Sequence, residues 1–308
     1  MSQAKSTRKA YFSSPDKIFD VCNIIFMLLL IVVTLYPFLN MFALSFNDAN
    51  DSIRGNIYIW PRDWTLRNYE YIFNESSIFH ATFISVARTI VGTVVSVFCT
   101  AMLAYTISRP EYVFKKFVTI IFIFTMYFSG GLIPNYLLTK ELDLLNTFWV
   151  YIIPGIIGVF NMIVIRSFIE GLPEGIMESA RIDGAGDFTT FMRIVLPLTV
   201  PALATVSLFV AVYQWNSWFD VFLYNSSSIN LSTLQYELMK VLSTSSTTTS
   251  TGGSAADAFA NAQGNVTMVT PTSIRATMTI VASLPIIIVY PFLQKYFVQG
   301  MTVGGVKG

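Results

Sequence analysis

Glu178-Ser-Ala-Arg-Ile-Asp-Gly184, followed after nine residues by Ile194-Val-Leu-Pro197, is a polar island in a chain otherwise built for hydrocarbon. Of the 308 residues, 54% are hydrophobic and 12% charged, with a mean hydropathy of +0.59. A soluble domain carries about 25% charged residues, so the composition points to a polytopic membrane protein. Around the island lie six runs long enough to cross a bilayer, for which about 20 apolar residues suffice. They cover residues 18–44, 82–107, 117–138, 148–168, 195–222 and 274–297. In hydrocarbon every backbone N–H and C=O must be bonded within its own segment, which makes helix the economical form for such runs. The expected fold class is all-α and integral to the membrane, with six transmembrane helices in one domain over 1–308.

Orientation follows from the basic residues, which favour the cytoplasmic side. With the N-terminus inside, the inner segments hold Lys5, Arg8, Lys9, Lys17, Arg109, Lys115, Lys116, Arg166, Arg181, Arg193, Lys295 and Lys307. The outer segments hold Arg54, Arg62, Arg67, Lys140, Lys240 and Arg275, and Arg88 lies within a span. Twelve against six predicts both termini in the cytoplasm, a cytoplasmic loop over 170–194 and outer loops over 45–81 and 225–273. The first run has no small-residue cleavage site after it and reads as an uncleaved signal anchor. Prolines 37, 134, 154, 201 and 285 fall inside the runs and predict kinks or breaks. The aromatic and charged outer loop over 45–81 is expected to be ordered as short interfacial helices. The other contains a Ser/Thr/Gly/Ala tract over 243–256, which has too little apolar surface to offset its ordering entropy and is expected to be mobile.

The island reads as a compact mechanical part. Pro173 suits the first turn of a helix, where a missing N–H is harmless. Glu174 and Glu178 share one face, and Glu174 is favoured near the positive end of the helix dipole. Ala180 and Ile182 supply small and apolar surface. Asp183-Gly184 ends the helix, with Gly184 placed to adopt a left-handed cap. Asp187 can cap a second short helix. Ile194, Leu196 and Pro197 then lead into the fifth span, so the helix pair is tied to a membrane helix and moves as a body.

Other functional classes are poorly supplied. No basic cluster beyond Lys115-Lys116 exists for nucleic acid. Cys22 and Cys99 lie inside apolar runs with neither metal nor disulfide spacing. His80 is the single histidine, which nearly excludes histidine-based catalysis or metal binding. No catalytic constellation lies at membrane depth. A Gly-rich phosphate loop ending in Lys-Ser/Thr is absent, so the chain itself does not hydrolyse ATP.

The spacing Glu-Ala-Ala, three residues, Gly, nine residues, Ile-x-Leu-Pro resembles the coupling loop of ABC importer permeases. Every fixed position matches except the first Ala, which is Ser179 here. The resemblance extends over nearly the whole chain. Trp64-Thr-Leu-Arg-Asn-Tyr69, Ala104-Tyr-Thr-Ile-Ser-Arg109, Asp183-Gly-Ala185, Trp215-Asn-Ser-Trp-Phe-Asp220 and the C-terminal stretch from Leu293 to Gly308 are similar to segments of the maltose-permease-like carbohydrate class. Within it the chain resembles the second, MalG-like permease, in the polysaccharide or lipo-oligosaccharide branch.

That resemblance implies a type I importer permease fold in a bacterial cell membrane, with a cytoplasmic coupling helix. It implies that the chain is the pore-forming subunit of an ATP-driven importer of complex oligosaccharides. The implied partners are a second homologous permease, two ATPase subunits and an extracellular sugar-binding protein. ATP and Mg would be used by the ATPase, with no cofactor on this chain. The implied ATPase-coupling residues are Glu178, Ser179, Ala180, Asp183, Gly184, Ala185, Ile194, Leu196 and Pro197. The loop over 225–273 corresponds to the family's outer loop that reaches into the binding protein. An importer of another solute class is the alternative, and a secondary transporter would need the intramembrane acidic or histidine relays that these spans lack.

Five residues are candidates for the substrate path. Trp215, Asn216, Trp218 and Asp220 combine aromatic faces with hydrogen-bonding groups, as sugar sites do, although Trp also marks membrane interfaces. Arg88 lies about two turns inside the second span, where a charge costs several kcal/mol unless paired or hydrated. It is expected to face the bundle, either lining the path or paired with a partner such as Asp220.

Overall fold

The computed structural model describes residues 14–74, 76–250 and 269–305. These are helical almost throughout, and the one β-bridge among them joins Asn47 to Trp64. The chain divides into two compact units, Met1–Tyr69 with Val266–Ile280 and Glu70–Asn265 with Val281–Gly308.

Among the described residues, three helices are long and apolar enough to cross a membrane: α1 (Ser14–Phe46), α4 (Ser76–Ser108) and α14 (Pro271–Gly305). Three bent pairs of helices are together long and apolar enough to cross as well, which makes six spans if each pair is one, in an all-α architecture. Lys115–Tyr127 (α5) and Leu132–Glu141 (α6) meet at 119°. The 3₁₀ turns within Phe148–Gly155 meet Val159–Glu170 (α7) at 55°. The segment Asp187–Leu198 meets Val200–Asn216 at 82°.

The proline expectation divides by position. Pro37 and Pro285 lie inside unbroken helices. Pro134 and Pro201 sit in the first turn of a new helix, where no partner is lost. The break before Pro134 is made by Ser129-Gly130-Gly131, with Gly131 at φ +89°. The loop after α1 is ordered as expected, around one side chain. Asn47 donates to Asp51 and Ser52 at 3.0 Å each, and accepts from the Arg62 and Asp63 amides at 2.8 and 2.9 Å. Two short helices, α2 (Ala49–Ile53) and α3 (Arg67–Asn74), flank this hub.

Helix α4 is the axis of the larger unit. Its packed ridge reads Arg88, Gly92, Ser96, Thr100, Ala104, one residue every four. In lipid, helices are drawn together by close packing, and small residues at this spacing allow it. Ser96, Thr100 and Ala104 are buried, and a Cβ on Gly92 would lie 2.8 Å from the Gln214 amide nitrogen. A core at one end of α4 joins Tyr105 and Ile107 to Met162, Met177, Phe191 and Val206. A second core, toward the Ser76 end, joins Ile84 to Tyr151, Ile152 and Val221. The Ser/Thr tract is helical as far as Ser250, at the end of α13 (Leu234–Ser250); residues 251–256 of it lie outside the described residues.

Candidate functional site

The polar island folds as α8 (Glu174–Ile182), a tight turn, α9 (Asp187–Thr190), a π-helical turn Phe191–Val195 and the single turn α10 (Leu196–Leu198). The end of α8 explains the spacing of its motif. The Gly184 amide donates to the Arg181 carbonyl at 2.9 Å, and the Ala185 amide to the Ala180 carbonyl at 2.9 Å. These are the paired bonds of a Schellman cap, which requires a left-handed residue. Gly184 supplies it at φ +76°. Ala180 is buried beneath the cap, with Met177 one turn earlier, so the fourth residue before Gly must be small. Ser179 points outward and donates back to the Gly175 carbonyl at 2.7 Å.

Two local expectations shift by one position. Pro173 is the N-cap, with ψ 128°, rather than a first-turn residue, because its extended backbone leads the chain in from Gly171-Leu172. Gly186 is the N-cap of α9 and Asp187 its first residue, so Asp187 faces the helix dipole instead of capping an amide. Entry to the membrane also differs. Ile194 lies in the π-helical turn, Leu196 packs on the core, and Pro197 lies two residues before Thr199, at the 82° bend. Thr199 marks that bend and donates its hydroxyl to the Val195 carbonyl at 2.8 Å. The segment Asp187–Leu198 is thus set crosswise to the helix Val200–Asn216 (α11).

The exposed surface of this knob is mixed. Glu174, Glu178 and Asp183 are exposed, and so are two apolar side chains, Ile182 at 86% and Phe188 at 64%. Beside it, Glu111 from the loop after α4 contacts Arg181 at 2.5 Å, and Arg109 approaches Glu111 at 3.9 Å. The Arg181 hydrogen bond draws the Glu111 carboxyl down to about 2, and the same bond raises the Arg181 guanidinium. Sequence reasoning missed this link, because no local pattern connects residues seventy apart. Phe191 closes the base of the knob against Tyr105, with ring centroids 5.4 Å apart.

Arg88 is 1% exposed and fully engaged. Its Nε and Nη2 donate to Gln214 Oε1 at 3.1 and 3.0 Å, and Nη1 donates to the Ser217 carbonyl at 3.3 Å. Both Asp220 carboxylate oxygens accept from the guanidinium, and the Tyr151 ring lies 4.3 Å below it. Gln214 in turn donates to the Tyr151 carbonyl at 3.2 Å. Of the two readings open from sequence, pairing is the one this geometry satisfies, and Asp220 is the partner. Gln214 and Tyr151 went unnoticed; the four-residue ridge through Gly92 was the available signal.

The other path candidates are dispersed. Trp215 is buried and its indole N–H donates to the Ala282 carbonyl at 2.9 Å. Asn216 is exposed and bonds the Val212 carbonyl at 2.9 Å, while Trp218 is half-buried against Phe219 and Phe222. A hollow lined by Leu208, Val212, Trp215, Pro285 and Val289 is apolar. Among the described residues, no group of His, Cys, Asp and Glu side chains is placed to hold a metal ion.

A family model described as "Binding-protein-dependent transport system inner membrane component" matches residues 9–303. Protein LplC of Bacillus subtilis (strain 168) is 38% identical over 292 residues, covering 95% of this chain and 96% of that protein. The polygalacturonan/rhamnogalacturonan transport system permease protein YtcP of the same organism is 34% identical over 293 residues, covering 95% and 99%. Among solved structures, one chain of a bacterial ABC transporter involved in the import of the acidic polysaccharide alginate matches with a TM-score of 0.82. It is 26% identical, over 93% of this chain and 99% of that one.

Proposed function

The chain belongs to the binding-protein-dependent transport system inner membrane components, and from that premise we propose that it is the pore-forming permease of an ATP-driven oligosaccharide importer. The observation that carries the reading is the knob: a helix with a Schellman cap at Gly184, followed by a segment, Asp187–Leu198, set crosswise to the helix after it. Its exposed Ile182 and Phe188 would offer apolar contacts to a cleft on a soluble partner. That partner is the ATPase subunit, which uses ATP and Mg, while this chain carries no cofactor. Glu178, Ser179, Ala180, Asp183, Gly184, Ala185, Ile194, Leu196 and Pro197 form or support the contact.

The assembly comprises this chain, a second homologous permease, two ATPase subunits and an external sugar-binding protein. The knob faces the cytoplasm of a bacterial cell, as do both termini, and the segment after Asn225 faces outward. The cargo is an oligosaccharide, as the transport name of the YtcP relative and the alginate importer suggest. Asn216, Trp218 and Asp220 are the path candidates with side chains still accessible, whereas Arg88 and Trp215 are buried.

Co-purification from native membranes tests the reading. Recovery of a second permease and an ATPase is expected, with hydrolysis rising when one loaded binding protein is added with its oligosaccharide. Recovery of the chain without an ATPase in mild detergent would overturn the proposed coupling role of the knob.

A further inference from the structure

Helix α11 ends at Asn216, and the chain resumes as α12 (Phe219–Tyr224) only after an extended residue, Ser217, at ψ 121°. A break of this kind frees backbone carbonyls at membrane depth, where each needs a partner. Arg88 supplies one to the Ser217 carbonyl. The same guanidinium holds Gln214 on the near side of the break and Asp220 on the far side. A planar fork with five donors can make these bonds together, which a lysine ammonium on its single axis cannot.

The segment beyond the break is strapped to the same two elements. His80 contacts the Asn230 carbonyl at 2.7 Å, and Ser85 accepts from the Leu234 amide at 2.8 Å. The Tyr151 hydroxyl donates to the Leu231 carbonyl at 2.5 Å. Residues 219–234 are therefore fastened to α4 and to the Tyr151 turn at several points, with Arg88 at the buried end of the row.

We propose that Arg88 is a positioning residue of the transport cycle: its guanidinium clasps the break after α11, so that the segment leading into α13 and the helix α4 move as one body. This rests on the permease reading. Displacement of the outer segment by the binding protein is then delivered to α4, whose other end packs against the knob through Tyr105 and Phe191.

The test uses the complete complex in lipid vesicles, with the oligosaccharide and binding protein that stimulate the wild type. A pair of variants separates the clasp from mere burial of charge. Arg88→Met with Asp220→Leu replaces the ion pair by apolar groups, an exchange that is often neutral for stability. The double variant is expected to assemble with its ATPase yet to lose about tenfold of the stimulation by loaded binding protein, because no donor remains for the Ser217 carbonyl. Asp220→Asn keeps the shape and weakens only the charge, and a loss of several-fold is expected. Wild-type stimulation in the double variant would overturn the proposal. If that variant fails to assemble, Asp220→Asn decides alone, and unchanged stimulation there overturns it. Absence of stimulation in the wild-type complex with every binding protein would instead refute the permease reading itself.

Discussion

Gly184 shows how one backbone angle can fix a motif. At φ +76° an L side chain is strained by about 1–2 kcal/mol. Nothing lies within 4 Å of a Cβ built there, so the penalty is conformational and not steric. Gly184→Val should insert normally and lose transport, while Gly184→Asn, which tolerates the left-handed region, should retain more. Uptake by the three proteins at equal membrane abundance checks this order; equal uptake would remove the cap from the mechanism. Ser179 is the converse case. Its hydroxyl bonds back within α8, a contact that adds little and slightly disfavours helix. Ser179→Ala should leave coupling intact and change stability by less than about 0.5 kcal/mol, measurable by thermal unfolding of the complex.

At the scale of the element, α8 buries Met177 and Ala180 and lies between glycines at 171 and 184. Its orientation therefore leans on Arg181 and Glu111. The Glu111 carboxyl is depressed from 4.5 to about 2 by that bond, so its contribution is full above about pH 4.5 and is lost as pH falls toward 2. The pair is half exposed and screened by solvent, which keeps its contribution small. Glu111→Gln should speed amide hydrogen exchange in α8 at neutral pH by a few-fold. The reversed pair, Glu111→Arg with Arg181→Glu, should restore the protection. Unchanged exchange in Glu111→Gln would show that burial of Met177 and Ala180 alone holds the helix.

For the molecule as a whole, the orientation makes a prediction that labelling can decide. Phe188→Cys on the knob should react with a membrane-impermeant thiol reagent only in inverted vesicles. Tyr58→Cys, on an exposed part of the loop after α1, should react only from the outside of intact cells. Between Tyr58 and Phe188 lie α4 and two bent pairs, so opposite-side labelling is expected if both pairs cross, and same-side labelling would show that one of the two turns back within the membrane. The 119° bend between α5 and α6 is the sharpest of the three and the one for which this control matters most.

The sequence determined the helical class, the six apolar runs and the knob. Hydrocarbon length and the spacing from Ala180 to Gly184 are local constraints, legible wherever a run or a cap must close on itself. It also singled out Arg88, because an unpaired charge at that depth is costly whatever surrounds it. The tertiary structure decided which groups meet that charge, since Gln214, Ser217 and Asp220 are more than a hundred residues away along the chain. It decided that Glu111 holds Arg181, and that the segment Asp187–Leu198 lies across the helix that follows it, at 82°. Those choices depend on which helix faces pack together, and side-chain spacing within one helix does not name the face of another.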